Sequence, residues 1–186
     1  MKNIISSLIL FLSIVSINSL NAQTIASGNI YSSNGEIVAV YTLHHPSCFN
    51  TATGTVSFQL MDASYNVEWV DGSNGTTFKQ LYAGDYQFKI LLGNSDITYK
   101  ISLHQPDELT ATITQIKEGN LCTLDLEVQG GVAPYTYSWN NGIESQDLNN
   151  VGAGFYTVLI KDKNDCTLSL NSKVNKRIKP TLDIKN

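Results

Sequence analysis

Residues 134–142 read Pro-Tyr-Thr-Tyr-Ser-Trp-Asn-Asn-Gly, and residues 153–158 read Ala-Gly-Phe-Tyr-Thr-Val. Tyr135, Tyr137 and Trp139 alternate with small polar residues, which is the period of a half-buried strand. Asn140-Asn141-Gly142 is turn chemistry, and a strand resumes after Gly154. A degenerate copy lies upstream. Tyr65-Asn66-Val67-Glu68-Trp69-Val70-Asp71-Gly72 is followed by Ala83-Gly84-Asp85-Tyr86. Trp139, Gly142, Gly154 and Tyr156 each stand 70 positions after Trp69, Gly72, Gly84 and Tyr86. Self-similarity at that period predicts two tandem units of one architecture.

Working outward, each copy predicts further short strands. In the first unit, Val56, Phe58 and Leu60 share a face, as do Val67 and Trp69, and Tyr86, Phe88 and Ile90. Tyr99, Ile101 and Leu103 close the unit. In the second unit, Leu124, Leu126 and Val128 alternate, then Tyr156, Val158 and Ile160, then Leu168 and Leu170. Upstream, Gln23–Gly35 reads as a polar segment ending in a turn. Glu36–Leu43 reads as an additional strand with Ile37, Ala39 and Tyr41 on one face. No helical period occurs after residue 22. Short alternating strands between turn signals predict an all-β chain of two β-sandwiches.

Met1-Lys2-Asn3 followed by the apolar run Ile4–Ile17 predicts a signal peptide cleaved after Ala22, too short for a membrane span of ~20 residues. The expected division is therefore 1–22 signal peptide, 23–105 first sandwich with an N-terminal extra strand, 106–174 second sandwich and 175–186 basic tail. Pro106, flanked by Gln105 and Asp107, interrupts strand pairing and marks the boundary. The chain has 186 residues, a net charge of −4 and 42% apolar residues. An acidic balance argues against nucleic acid as a partner, because phosphate contact needs a basic surface.

Gly130-Gly131-Val132-Ala133-Pro134-Tyr135-Thr136-Tyr137-Ser138-Trp139, with Gly142, Ala153–Val158 and Asp162-Lys163-Asn164-Asp165-Cys166-Thr167, resembles the SprB-type repeat of Bacteroidetes cell-surface and gliding adhesins. Pro46-Ser47-Cys48-Phe49-Asn50 and Gln105–Leu109 fit the same pattern. The resemblance spans residues 44 to 174. It is degraded in the first unit, where Met61-Asp62-Ala63-Ser64 replaces the Gly-Gly-x-x-Pro portion. The resemblance implies immunoglobulin-like sandwiches serving as spacers or adhesive modules.

Three cysteines in an exported chain leave an odd one. Strand parity places Cys122 in phase with Leu124 and Cys166 in phase with Leu168. Aligning the two copies sets Ile97 opposite Cys166. The expectation is a Cys122–Cys166 disulfide and a free, partly buried Cys48. Such a bridge closes a loop of ~45 residues, on the order of 3–4 kcal/mol in the loop-entropy model.

Asp162, Asn164 and Asp165 form a weak calcium candidate, since oxygen ligands on a short loop suit that ion. The same residues are also plain hairpin-turn chemistry. His44, His45 and His104 lack the companions of a metal set, and no other metal or cofactor is expected. Trp69 and Trp139 read as core residues. No motif of a hydrolase, metalloprotease or phosphate-binding loop occurs, so no catalytic residue is expected. The function expected is an exported, non-catalytic structural or adhesive module of a bacterial envelope. Its partner would be a protein or glycan at the cell surface, with no membrane span after signal removal. The alternative is a soluble recognition module for carbohydrate or protein, signalled by an aromatic strip among Tyr31, Tyr41, Tyr82 and Phe155. An enzyme ranks third.

Overall fold

The computed structural model describes residues 25–176. The expected signal peptide and the basic tail beyond residue 176 lie outside the described residues. All regular structure in that span is strand, and the chain divides into two units between Pro106 and Asp107.

The first unit holds β1 (Ile25–Tyr31), β2 (Ile37–His44), β3 (Gly54–Leu60), β4 (Asn66–Trp69), β5 (Thr77–Leu81), β6 (Gly84–Leu92) and β7 (Ser95–Leu103). One sheet has the order β1-β2-β3-β5 and the other β4-β6-β7. Their inner faces share one core. Ala39, Val56 and Phe58 of the first sheet meet Val67, Trp69, Phe88 and Ile90 of the second. The second unit holds β8 (Thr110–Glu118), β9 (Leu121–Gln129), β10 (Thr136–Trp139), β11 (Leu148–Val151), β12 (Gly154–Lys161) and β13 (Thr167–Val174). Its sheets, β8-β9-β11 and β10-β12-β13, repeat the first pattern without β1.

Both units are immunoglobulin-like sandwiches, and two side-chain devices show it. A tryptophan on the third common strand, Trp69 or Trp139, is buried in each core. A tyrosine beginning the fifth common strand turns back to the corner before it: Tyr86 Oη donates to Tyr82 O at 2.9 Å, and Tyr156 Oη to Gly152 O at 3.0 Å. That is the tyrosine corner of such folds. The 70-residue offset extends to details without sequence identity. Gln80 and Asn150 both take a positive φ, at 61° and 57°. Gly72 N donates to Trp69 O and Gly142 N to Trp139 O, both at 2.9 Å.

The cores are filled differently. Strand registers set Phe58, Phe78, Phe88 and Tyr99 of the first unit where the second has Leu126, Leu148, Val158 and Leu170. In the first unit the rings pack closely, with centroids 4.2 Å apart for Trp69–Phe78 and 4.6 Å for Phe58–Phe88. Trp139 Nε1 donates to Ser145 O at 3.0 Å. Trp69 Nε1 is buried without a partner. An unmade buried hydrogen bond costs about 1–3 kcal/mol, so the two tryptophans are not equivalent. Trp139→Phe is expected to lose about 1 kcal/mol more than Trp69→Phe, because only the former breaks a bond. Peptide-resolved hydrogen exchange in denaturant measures each sandwich separately; equal losses would refute the asymmetry.

The extra strand of the first unit is β1, not the 36–43 segment. Register places β2 in the role of β8: Ala39 pairs with Leu60 as Ala111 pairs with Val128. β1 escapes the sequence reading because its inward face is Ala26, Gly28 and Ile30, with no side chain at its centre. Gly28 lies opposite Tyr41, and a Cβ there would sit 2.5 Å from the Tyr41 hydroxyl. The tyrosine ring fills the volume the glycine leaves. Ile37, expected inward, is exposed, and Val38 is buried instead. The far end of β1 is tied to the other sheet. Tyr99 Oη accepts from Tyr31 N at 3.1 Å and donates to Tyr31 O at 3.0 Å. Among the described residues of the second unit no such strand covers β8. There the Gln115 amide spans to β13, donating to Ser172 Oγ at 2.9 Å and Lys173 O at 3.0 Å.

Candidate functional site

The Gly-Gly-x-x-Pro-Tyr stretch forms the best-defined polar centre of the second unit. Gly130 and Gly131 adopt φ of 70° and 59°, the left-handed region that favours glycine. A Cβ on Gly130 would lie 1.9 Å from Glu108 O, and one on Gly131 2.9 Å from Asp162 Oδ2. The glycines therefore let the segment entering β8 and the β12–β13 turn close onto one backbone. Gly131 N donates to Asp107 O at 2.9 Å, and Tyr135 Oη donates to Gly130 O at 2.6 Å.

Asp162 is the hub of this centre and is only 4% exposed. Its Oδ2 accepts from Val132 N at 2.9 Å, and its Oδ1 accepts from Asn164 N at 2.8 Å and Cys166 N at 2.9 Å. Lys163 N returns a bond to Val132 O at 2.8 Å. Asp165, the other carboxylate of the calcium candidate, pairs with Lys161 at 2.9 Å. The loop thus spends its carboxylates on backbone N–H groups and a lysine. The donors that a cation would have to displace are already in place, and this turn organises the fold.

The cysteines depart from expectation. Cys122 is a free, buried thiol whose Sγ points to Thr123 O at 3.5 Å, whereas Cys48 and Cys166 are disulfide-bonded. Parity placed Cys122 and Cys166 on suitable faces but said nothing of position along the sandwich. Gln115 pairs with Leu124 and bonds Ser172 and Lys173, so Cys122 sits level with the end of β13. Cys166 precedes the start of β13, about 25 Å away at about 3.3 Å per residue. A disulfide requires Cα atoms within about 7 Å. The alignment of the copies also slips by two residues, since Ile90 pairs with Ile97 as Ile160 pairs with Leu168. Ile97 therefore corresponds to Leu168, and Cys166 lies in the longer β12–β13 turn. Cys48 lies in the 45–53 loop between β2 and β3, where the second unit has only the turn Gly119-Asn120.

The three tyrosines of the first unit do not make one strip. Tyr41 packs on the core over Gly28. Tyr31 ends β1, and Tyr82 follows β5, at opposite edges of one sheet. Three strand spacings of about 4.8 Å separate them. Phe155, in the second unit, is 72% exposed with Lys173 Nζ 5.1 Å from its ring centroid. Leu159, on the same face of β12, is 45% exposed.

The histidines carry no expected metal set, yet two of them meet in the first unit. His45 leads the 45–53 loop and His104 follows β7, with ring centroids 5.5 Å apart. His104 N donates to His45 Nδ1 at 2.9 Å. Burial pushes the His45 imidazole below its ordinary pKa, and His104 and His44 push it the same way. Among the described residues no three His, Cys, Asp or Glu side chains converge on a metal position, and no helix is long and apolar enough to cross a membrane.

The strand β9, the glycine hinge and the β10 turn are also the part of the chain that matches a known family model. The match is to the SprB repeat, over residues 122–143. It covers Gly130, Gly131 and Tyr135 of the centre above, and the core tryptophan Trp139. The SprB match takes in one repeat and does not extend to the earlier copy. No curated protein matches the chain. Among solved structures, the crystal structure of domains 3 and 4 of rat CD4 is similar at 13% identity. That comparison covers 86% of this chain and 92% of the other, with a TM-score of 0.26, and adds nothing to the topology described above.

Proposed function

We propose that the chain is an exported, non-catalytic module of a bacterial cell surface, built from two SprB-type repeats and serving a structural or adhesive role. The observation that carries this reading is the SprB match across Gly130 and Gly131, the glycines on which Asp162 closes in the second sandwich. Identical corner and turn bonds 70 residues earlier support a second, diverged copy. The polar groups of the glycine–aspartate centre are used in holding strands together, as suits a spacer. Disulfide-bonded cysteines fit an oxidising compartment outside the cytoplasm. The test is labelling of intact producing cells with a membrane-impermeant biotin reagent. The chain is expected to be labelled without lysis; labelling only after lysis would refute surface display.

A recognition module is the second reading, favoured by Phe155 and Leu159 on the outer face of β12. An exposed aromatic face suits stacking against a sugar ring or a partner side chain. Glycan-array binding lost in Phe155→Ala would support it. A blank array and unchanged cell attachment by Phe155→Ala would leave the structural reading standing alone.

A further inference from the structure

We infer that His45 and the His104 amide form an acid-released latch between the 45–53 loop and the end of β7. The backbone N–H of His104 is only a donor, so the bond at 2.9 Å requires an unprotonated lone pair on His45 Nδ1. The neutral imidazole therefore carries its proton on Nε2. Protonation of Nδ1 would set N–H against N–H and abolish the bond.

The surroundings favour the neutral form. The ring is partly buried, and the charged groups acting on it are His104 from the end of β7 and His44 from the end of β2. Both are cationic when protonated, so acid brings like charges together at a ring separation of 5.5 Å. The latch holds a specific piece of chain. Of the loops the two sandwiches share, the 45–53 loop is the one that differs most in length, and it carries Cys48. Its second tie to the same strand end is Asn50 N donating to Gln105 Oε1 at 2.7 Å. His104 and Gln105 are the last residues before Pro106, so release loosens both the loop and the start of the linker.

The direction in pH follows from linkage. A histidine whose folded pKa lies below its unfolded value of about 6.5 binds fewer protons folded than unfolded. The stabilisation from the latch is fully present above pH of about 6.5 and is lost as pH falls through the lower folded value. Without this coupling, a loop held by hydrogen bonds alone would show no such window.

The test is NMR on the mature chain with intact disulfide bonding. It follows the His45 ring resonances and the hydrogen-exchange protection of the His104 amide from pH 8 to 4. The His45 ring is expected to titrate below the ordinary histidine value. His104 protection should fall by up to about tenfold per pH unit between the ordinary histidine value and the lower folded one, the slope of one linked proton, and level off below it. His45→Asn supplies an amide oxygen that accepts without titrating, so its His104 protection should stay flat over the same range. His104→Gln keeps the amide but removes one cationic neighbour, so the His45 transition should move upward. The inference is overturned if His45 titrates at or above its ordinary value. It is also overturned if His104 protection is independent of pH in the wild type, or declines equally in His45→Asn. Should His45→Asn prove unstable, the wild-type pair of ring titration and amide protection decides the matter alone.

Discussion

Gly130→Ala is expected to cost the second sandwich about 4 kcal/mol, with no comparable effect on the first. Two terms add. A side chain at φ of 70° costs about 1–3 kcal/mol in backbone strain. The new Cβ would also stand 1.9 Å from Glu108 O, a backbone atom rather than a flexible side chain. Moving it apart breaks the neighbouring Gly131 N bond to Asp107 O, and overpacking of this kind costs about 1–3 kcal/mol. Gly142→Ala is the control. Its φ is 84°, but nothing lies within 4 Å of the added Cβ, so it should lose only about 1 kcal/mol. Each sandwich holds one tryptophan. In a Trp69→Phe background, denaturant unfolding followed by fluorescence therefore reads Trp139 and the second unit alone. Equal midpoints for the two alanine variants would show that the Gly130 contact is not rigid.

Asp162→Ala should be as damaging through different physics. It strips acceptors from three backbone N–H groups, on Val132, Asn164 and Cys166. Buried donors left unmade cost about 1–3 kcal/mol each. Some reach water once the turn loosens, so a net loss of about 3–5 kcal/mol is expected. Asp162→Asn separates charge from geometry. Its one oxygen keeps part of the acceptor set while its NH2 opposes a backbone donor, so it should fall between wild type and alanine. The same fluorescence titration gives all three midpoints. An alanine variant within about 1 kcal/mol of wild type would remove Asp162 from its place as the hub.

The strands that alternate strongly were legible in the chain. Val67 and Trp69, Leu124 and Leu126, and Val158 and Ile160 all face inward as their period predicts. The repeat offset located equivalent corners and turns. What escaped were features whose cause lies across the fold. β1 carries glycine where Tyr41 lies over it, so its apolar signal is supplied by another strand. Strand parity of the cysteines reports a face and not a height, and the β12–β13 turn hides a two-residue slip. Asp162 looked like turn chemistry with calcium as an option because its real partners are backbone N–H groups, which have no sequence signature. His45 and His104 are far apart in sequence, and the donor that joins them is again a main-chain amide.

The Gln115 clamp has a mechanical meaning. Near its start, β8 lies beside Gly130, and Gly131 touches Asp162 just before β13 begins. Further along, Gln115 reaches Ser172 and Lys173 near the end of β13. The two strands therefore run in the same direction, side by side. The chain enters the second sandwich at the head of β8 and leaves it at the foot of β13. Tension along the polypeptide pulls these strands lengthwise past each other, so the bonds of the glutamine clamp are loaded together in shear instead of being peeled in turn.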